Sequence, residues 1–280
     1  MTKLYNLILI EGNPTPKAWN TGIMHIIYKG KGDASNLINY RGITVNNASS
    51  KIFTSILNNR LSEIVEEANI LGNIQQGGRP NKRTTDSLFI LRTIIEKALT
   101  SSVPKEKSIA MAFIDLRKAY DHVSHERLWN KLLALGIKAR VVNILRSLYR
   151  ESTVKVMVNG HLSKEVAYER GIKQGCVLSP LLFILYLSEL GYILEKNPKG
   201  IQIAGQRVAG LLYIDDLVLI GKSVEDVEAL LKQVQGALKE VDIKINCSKS
   251  KIVTANELVE DIPLESYSKE MEGYIQQVAS

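Results

Sequence analysis

The chain has 280 residues, 45% hydrophobic and 23% charged, enough for one large domain or two small ones. Its net charge of +7 favours an anionic partner, and its Lys and Arg are spread as a positively lined cleft needs rather than gathered into a basic arm. Two cysteines and four histidines at no zinc spacing exclude a disulfide scaffold or zinc module, and no run reaches membrane-spanning length. Met1-Thr2-Lys3 opens no signal peptide and there are no internal repeats, so an intracellular protein of nucleus or cytoplasm is expected.

Leu4 to Glu11 reads as an apolar-periodic helix stopped by Gly12 and Pro14. Thr21 to Tyr28 reads as a strand, Lys29-Gly30-Lys31-Gly32-Asp33 as a basic turn, and Asn39 to Val45 as the entry to the returning strand. Arg41 suits phosphate because its planar fork donates paired hydrogen bonds, whereas Lys29 and Lys31 fit a solvated turn equally well. Ser50 to Glu67 is a long helix with Ile52, Phe53, Ile56, Leu57, Leu61, Ile64 and Val65 as one core stripe, and with Arg60 a candidate for nucleic acid. Gln75 to Asp86 is a Gly-rich loop whose Arg79, Lys82 and Arg83 suit a template backbone, or else an ordinary exposed loop. A helix starts near Asp86 and runs to about Ala98, and Thr100 to Lys107 is a polar connection.

Ser108 to Ile114 is a strand apolar on both faces, suited to a sheet centre and ended by Asp115. Ser124 caps a helix through Leu135, ended by Gly136, and a second helix spans Lys138 to Tyr149. Thr153 to Val158 alternates as a strand, Asn159-Gly160 is a hairpin turn, and the return strand runs to about Tyr168. A Gly-flanked loop from Arg170 follows, with Arg170 and Lys173 as phosphate candidates, and Ser179-Pro180 opens a helix through Glu195.

Tyr213-Ile214-Asp215-Asp216 lies between two apolar runs and reads as a hairpin with the acids at its turn. Asp-Asp is ordinary turn chemistry, so a solvated surface turn is one reading. The other is a metal site. Flanks apolar on both faces argue for a largely buried hairpin, where paired carboxylates are costly unless a cation offsets them. One acid from the strand ending at Asp115 and two from the hairpin would suit two Mg²⁺ ions about 3.5–4 Å apart. Ser223 then starts a helix with Val224, Val227, Leu230, Leu231, Val234 and Leu238 buried, and Ile243 to Asn246 is a short strand. Glu257 to Glu272 reads as helical or poorly ordered.

Four stretches carry a resemblance. Phe113-Ile114-Asp115 with Lys118-Ala119-Tyr120-Asp121, then Arg170 to Phe183, then Tyr213-Ile214-Asp215-Asp216, then Asn246 to Lys251 resemble motifs A, B, C and D of a reverse transcriptase. Their wording is similar to the non-LTR (LINE-type) retrotransposon branch, in the right order over roughly Leu4 to Val253. The resemblance implies an α+β fold with an antiparallel palm sheet and packed helices. It implies fingers over residues 1–110, palm over 111–255 with part of the motif B region returning to the fingers, and a divergent tail over 256–280 where no thumb is recognised. It implies an RNA-directed DNA polymerase working on an RNA template, a DNA primer and dNTPs, with no membrane.

By the same resemblance Asp115, Asp215 and Asp216 bind two Mg²⁺ ions, which Mn²⁺ can replace, and Lys249 approaches the leaving pyrophosphate as a proton donor. Lys29, Arg41, Tyr120, Gln174 and Gly175 surround the incoming dNTP, Tyr120 beneath its sugar and Gln174-Gly175 against the nucleotide and template base. The alternative is a weak or inactive nucleic-acid-binding remnant, because no thumb counterpart is legible after Ala255.

Overall fold

The computed structural model describes residues 1–100, 108–203, 205–254 and 262–263. Helix α1 (Thr2–Asn6) continues as a π-turn through Leu7–Glu11, and Gly12 ends it with a left-handed φ of 79°. There follow β1 (Thr21–Tyr28), β2 (Tyr40–Val45), α2 (Ala48–Glu67), α3 (Thr84–Thr100), β3 (Ala110–Ile114), α4 (Ala119–His122), α5 (His125–Ala134) and α6 (Ala139–Tyr149). Then come β4 (Thr153–Val158), β5 (His161–Leu162), β6 (Val166–Ala167), α7 (Ser179–Tyr186), α8 (Ser188–Glu195), β7 (Ile201–Ile203) and β8 (Gln206–Val208). The last elements are β9 (Gly210–Tyr213), β10 (Asp216–Gly221), α9 (Val224–Glu240), β11 (Lys251–Thr254) and β12 (Ile262–Pro263). The mixture is the α+β class expected. The chain divides into two compact units, residues 1–64 with 120–183, and residues 65–119 with 184–280. The 101–107 connection and the segment Glu257 to Glu272, apart from β12, lie outside the described residues.

In the first unit the sheet runs β2-β1-β4-β5, with β6 also on β4. β1 is antiparallel to β2 and parallel to β4. Asn159 and Gly160 turn the β4–β5 hairpin with φ of 48° and 81°, the two positive values that a two-residue turn of this hand needs. The single return strand expected here is instead split into β5 and β6. Ser163 sits in the break, its N–H donating to the Val156 carbonyl at 2.9 Å while its hydroxyl, in place of its carbonyl, accepts from the Val156 N–H at 2.9 Å.

The core of this unit gathers Tyr5, Trp19 and Phe53, with ring centroids 5.3–6.1 Å apart. Ser49 satisfies both polar aromatics: its carbonyl accepts from Tyr5 and its hydroxyl from the Trp19 indole. The α2 stripe is narrower than its sequence implied. Phe53, Leu57 and Leu61 are buried, while Ile52 and Ile64 stand 55% and 44% exposed. Ile52 precedes Phe53 by about 100° of helical rotation, off the buried arc.

In the second unit the sheet runs β12-β11-β3-β10-β9, antiparallel at every pairing, with β3 at its centre. Register sorts its residues by face. Met111 pairs with Ile220 and Phe113 with Val218, while Val218 also pairs with Leu211. Met111, Leu211 and Ile220 pack with Ile94 and Ala98 of α3. On the other face Ala112, Ile114, Leu217, Leu219 and Ile252 are buried, and α9 packs against β3 and β10. The strand expected over Ile243 to Asn246 is reduced to a single bridge between Leu116 and Ile245, because β3 has already ended at Ile114.

The aromatic cluster sets a stability test. Phe53→Ala is expected to cost ~3–5 kcal/mol, read as a lower urea midpoint. The neighbouring Ile52→Ala is expected to stay within ~0.5 kcal/mol.

Candidate active site

Asp115 is the first residue past β3, two positions beyond Phe113 and on the same face by alternation. Ile114 pairs with Leu217, so continuing that register by one residue brings Asp115 level with Asp216. The α3-side face is therefore buried at Met111 and Ile220, half open at Phe113 (40% exposed), and acidic at its end. The Asp216 carboxyl is raised above its usual range, first by burial and then by the negative charge of Asp115. The register that sets Asp115 level with Asp216 accounts for that second cause.

A short segment holds Asp115 from behind. The Asn246 side-chain amide donates to Asp115 Oδ2 at 2.8 Å, and the Asn246 backbone N–H donates to the Asp115 carbonyl at 2.8 Å. The Asp115 N–H donates to Ser250 Oγ at 3.1 Å, and that hydroxyl donates to the Asn246 carbonyl at 2.9 Å. Asp215 and Asp216 come from the β9–β10 hairpin, where Tyr213 pairs with Asp216 and only Ile214 and Asp215 lie between the strands. Ile214 has a φ of 61°, an unusual value for a β-branched residue. The hairpin strands are buried as expected but the two turn acids are exposed, which corrects the expectation of a buried carboxylate pair. Asp215 lies in the two-residue turn, and Asp216 is the first residue of β10, paired with Tyr213 at the end of the strands. Among the described residues no three His, Cys, Asp or Glu side chains, Asp115, Asp215 and Asp216 included, are grouped so as to hold a metal ion.

The residues expected around a nucleotide lie in the first unit. Gln174 donates from its side-chain amide to Asp121 Oδ1 at 3.2 Å, and its carbonyl accepts from the Thr44 N–H at 2.8 Å. Gly175 has a φ of 105°, and a Cβ there would stand 2.7 Å from the Thr44 carbonyl oxygen. The loop is thus fastened to β2 at a point where only glycine fits. Tyr120 stacks on Phe183 with centroids 4.6 Å apart and planes 17° from parallel. Arg41 is exposed on β2 opposite Ile27. Lys29 donates to the Ile38 carbonyl at 2.9 Å, closing its own loop.

Residues 29–273 match the family model described as reverse transcriptase (RNA-dependent DNA polymerase). The chain belongs to the reverse transcriptase family. It is 32% identical over 228 residues to a retrovirus-related Pol polyprotein from the type-1 retrotransposable element R2 of Popillia japonica, covering 80% of this chain and 30% of that one. It is 26% identical over 237 residues to the transposon TX1 uncharacterized 149 kDa protein of Xenopus laevis, covering 84% and 18%. Similarity extends to the RNA-directed DNA polymerase from mobile element jockey of Drosophila melanogaster, 25% identical over 260 residues, covering 90% and 27%. The chain thus spans less than a third of the length of these relatives, all from mobile elements, in keeping with the non-LTR resemblance. Among solved structures, apo telomerase from Candida tropicalis matches with a TM-score of 0.62 at 12% identity, over 92% of this chain and 49% of that one. That likeness shows the fold.

Against this family background several basic residues prove to be committed elsewhere. Arg79, read as a template contact, is buried in an ion pair with Glu66 at 2.6 Å and donates to the carbonyls of Gly72 and Gln75. Its hydrogen bond, and after that its charge, holds the Glu66 carboxyl below its usual range. Lys173, read as a phosphate contact, is buried, donates to the Leu148 carbonyl at 3.2 Å, and lies 5.4 Å from the centre of the Tyr149 ring. Burial pulls its pKa down to about 8. Arg170 donates to the His122 carbonyl at 2.9 Å. Arg60, Lys82, Arg83 and Lys249 are exposed.

Asn246 and Ser250 were missed as functional residues. Their signal was present: both flank Lys249 in the stretch resembling motif D, and Asn is the shortest side chain able to donate an amide to a carboxylate.

The loop fastening generates a test. Gly175→Ala combines a left-handed φ with a backbone clash and is expected to cost more than Gly160→Ala, where φ is 81° but nothing lies within 4 Å. Strain of ~1–3 kcal/mol is the scale for the conformation alone, and paired thermal melts would read the difference.

Proposed function

We propose that this chain carries the nucleotidyl-transfer centre of an RNA-directed DNA polymerase, extending a DNA primer on an RNA template with dNTPs. Asp115, Asp215 and Asp216 are its metal ligands. The observation that carries the reading is the antiparallel register of β3 with β10, which sets Asp115 level with Asp216 at one end of adjacent strands in a reverse transcriptase family chain. The donor set fits two Mg²⁺, or Mn²⁺: both are hard ions that take carboxylate oxygens, and Mg²⁺ commonly needs only one or two carboxylates, its other positions going to water and substrate phosphates. When bound, such ions supply Lewis-acid stabilisation of charge on the attacking and leaving oxygens.

The chain's own residues prepare that site. Asn246 fixes the rotation of the Asp115 carboxylate by occupying Oδ2. Phe113 and Val218 give the acidic face an apolar approach that displaces water from a stacked sugar or base. Arg41 offers a forked donor to the triphosphate, and Gln174 with Gly175 presents a rigid edge to the nucleotide. Tyr120, braced by Phe183, supplies a flat surface beneath the sugar. Lys29 serves less well, being tied to its own loop. Lys249, exposed beside the Asn246 cradle, is positioned by sequence to donate a proton to the departing pyrophosphate. The +7 charge suits RNA and DNA backbones in an intracellular compartment.

Mn²⁺ titration followed by EPR, paired with primer extension on poly(rA)/oligo(dT), tests the assignment. Asp215→Asn is expected to weaken Mn²⁺ binding and reduce extension to background. Unchanged Mn²⁺ affinity in this variant would refute the metal-site reading. Asn246→Ala is expected to weaken Mn²⁺ binding about 10–100-fold, the usual effect of losing an outer hydrogen-bond partner.

The raised Asp216 carboxyl sets a pH dependence. Ionised Asp216 binds metal, so Mn²⁺ affinity should fall on acidification beginning above the ordinary Asp range of ~3.9. For the metal-free fold the sign is opposite. The protonated acid is favoured in the folded state, so this group's stabilising contribution is present at low pH and fades as pH rises through the raised value. Asp216→Asn is expected to flatten both limbs in titration and melting experiments.

A further inference from the structure

We infer that Gln75 is a positioning residue for the turn that carries Asp215 and Asp216; the inference rests on the assignment of those acids as metal ligands. Residues 74–76 run alongside β9 as an added parallel edge. The Leu212 N–H donates to the Ile74 carbonyl at 3.0 Å, and the Gln76 N–H donates to the Leu212 carbonyl at 2.7 Å. This contact places the Gln75 side chain, 2% exposed, under the turn. Its Oε1 accepts from two backbone N–H groups at once, Gly77 at 3.0 Å and Ile214 at 3.1 Å.

Ile214 is where the turn needs help. Its φ of 61° is disfavoured for a β-branched residue and persists only where the surroundings impose it. The Gln75 acceptor is one such imposition, fixing the direction of the Ile214 N–H. The other is steric. A Cβ on Gly77 would stand 2.6 Å from the Ile214 nitrogen and 2.8 Å from the Tyr213 carbonyl carbon, so the 75–77 backbone lies flat against the turn.

The brace is itself anchored. Arg79 donates to the Gln75 carbonyl at 3.1 Å and to the Gly72 carbonyl, while its ion pair with Glu66 holds the guanidinium in place. Gln76, also buried, donates to the Asn73 carbonyl at 2.5 Å. A chain of contacts therefore runs from Glu66 through Arg79 and Gln75 to Ile214, the residue immediately before the acids. A loop read as a template contact acts here as a support for the catalytic turn.

Gln75→Leu keeps the shape and removes the acceptor. Amide hydrogen exchange should show the Ile214 N–H exchanging about tenfold faster or more, with amides of α9, in the same unit, unchanged as an internal reference for its stability. Mn²⁺ affinity by EPR should fall, and primer extension should lose kcat with little change in KM for dNTP, because the nucleotide contacts are untouched. Should Gln75→Leu not fold, Gln75→Asn withdraws the same amide by one methylene and gives the same readouts. Unchanged Ile214 exchange together with unchanged Mn²⁺ affinity overturns the inference. Faster Ile214 exchange in a protein whose wild type binds no Mn²⁺ keeps the brace and removes the metal-site reading instead.

Discussion

Two carboxylates of like charge held at the end of one sheet face constrain the acid-bearing half of this protein. Like charges at this spacing repel, and burial first, then the charge of Asp115, holds the Asp216 carboxyl above its usual range. Three features keep them in place. The antiparallel register of β3 with β10 fixes their level. The Asn246–Ser250 segment hydrogen-bonds Asp115 through side chain and backbone. The Gln75 segment holds the turn bearing Asp215 and leading into Asp216. Each support is a neutral hydrogen-bonding group, so none cancels the negative charge that a cation would use.

The other unit solves a different problem. Its loop from Arg170 to Ser179 is held through backbone as well as side chains. It is tied to β2 by the Thr44–Gln174 bond and packed so closely at Gly175 that no side chain fits. Lys173, beside it, is withdrawn into the interior rather than offered to solvent, its ammonium satisfied by a carbonyl and an aromatic face. A positive charge placed there steadies the loop instead of reaching for phosphate.

Much of this was legible in the sequence, for identifiable reasons. Strands and helices with clear periodicity fell where expected: β1, β3, α5, α6 and α9 lie within a few residues of their sequence bounds. Ser124 and Ser223 mark helix starts by bonds that their hydroxyls do make. The three acids stood out because Asp after an apolar strand and Asp-Asp between apolar runs are locally odd. Tertiary use of polar residues was not legible. Nothing local to Arg79 announces Glu66 as its partner, and nothing around Lys173 announces burial. Ser163 breaking the return strand also depends on what lies across the ladder. Polar side chains are decided by neighbours far along the chain, whereas apolar periodicity is decided within a few turns.

The contact between Gly77 and the turn has a consequence for how such chains can vary. Among the three atoms nearest a Cβ at position 77 is Cγ1 of Ile214, 2.8 Å away, and the other two are turn backbone. Trimming Ile214 would therefore not make room, since the backbone atoms remain. The two positions form a one-way lock: position 214 is free to shrink while 77 stays glycine, but 77 cannot grow until the turn itself is rebuilt. Lineages that carry a larger residue at 77 must also carry a different path for the chain around their acids.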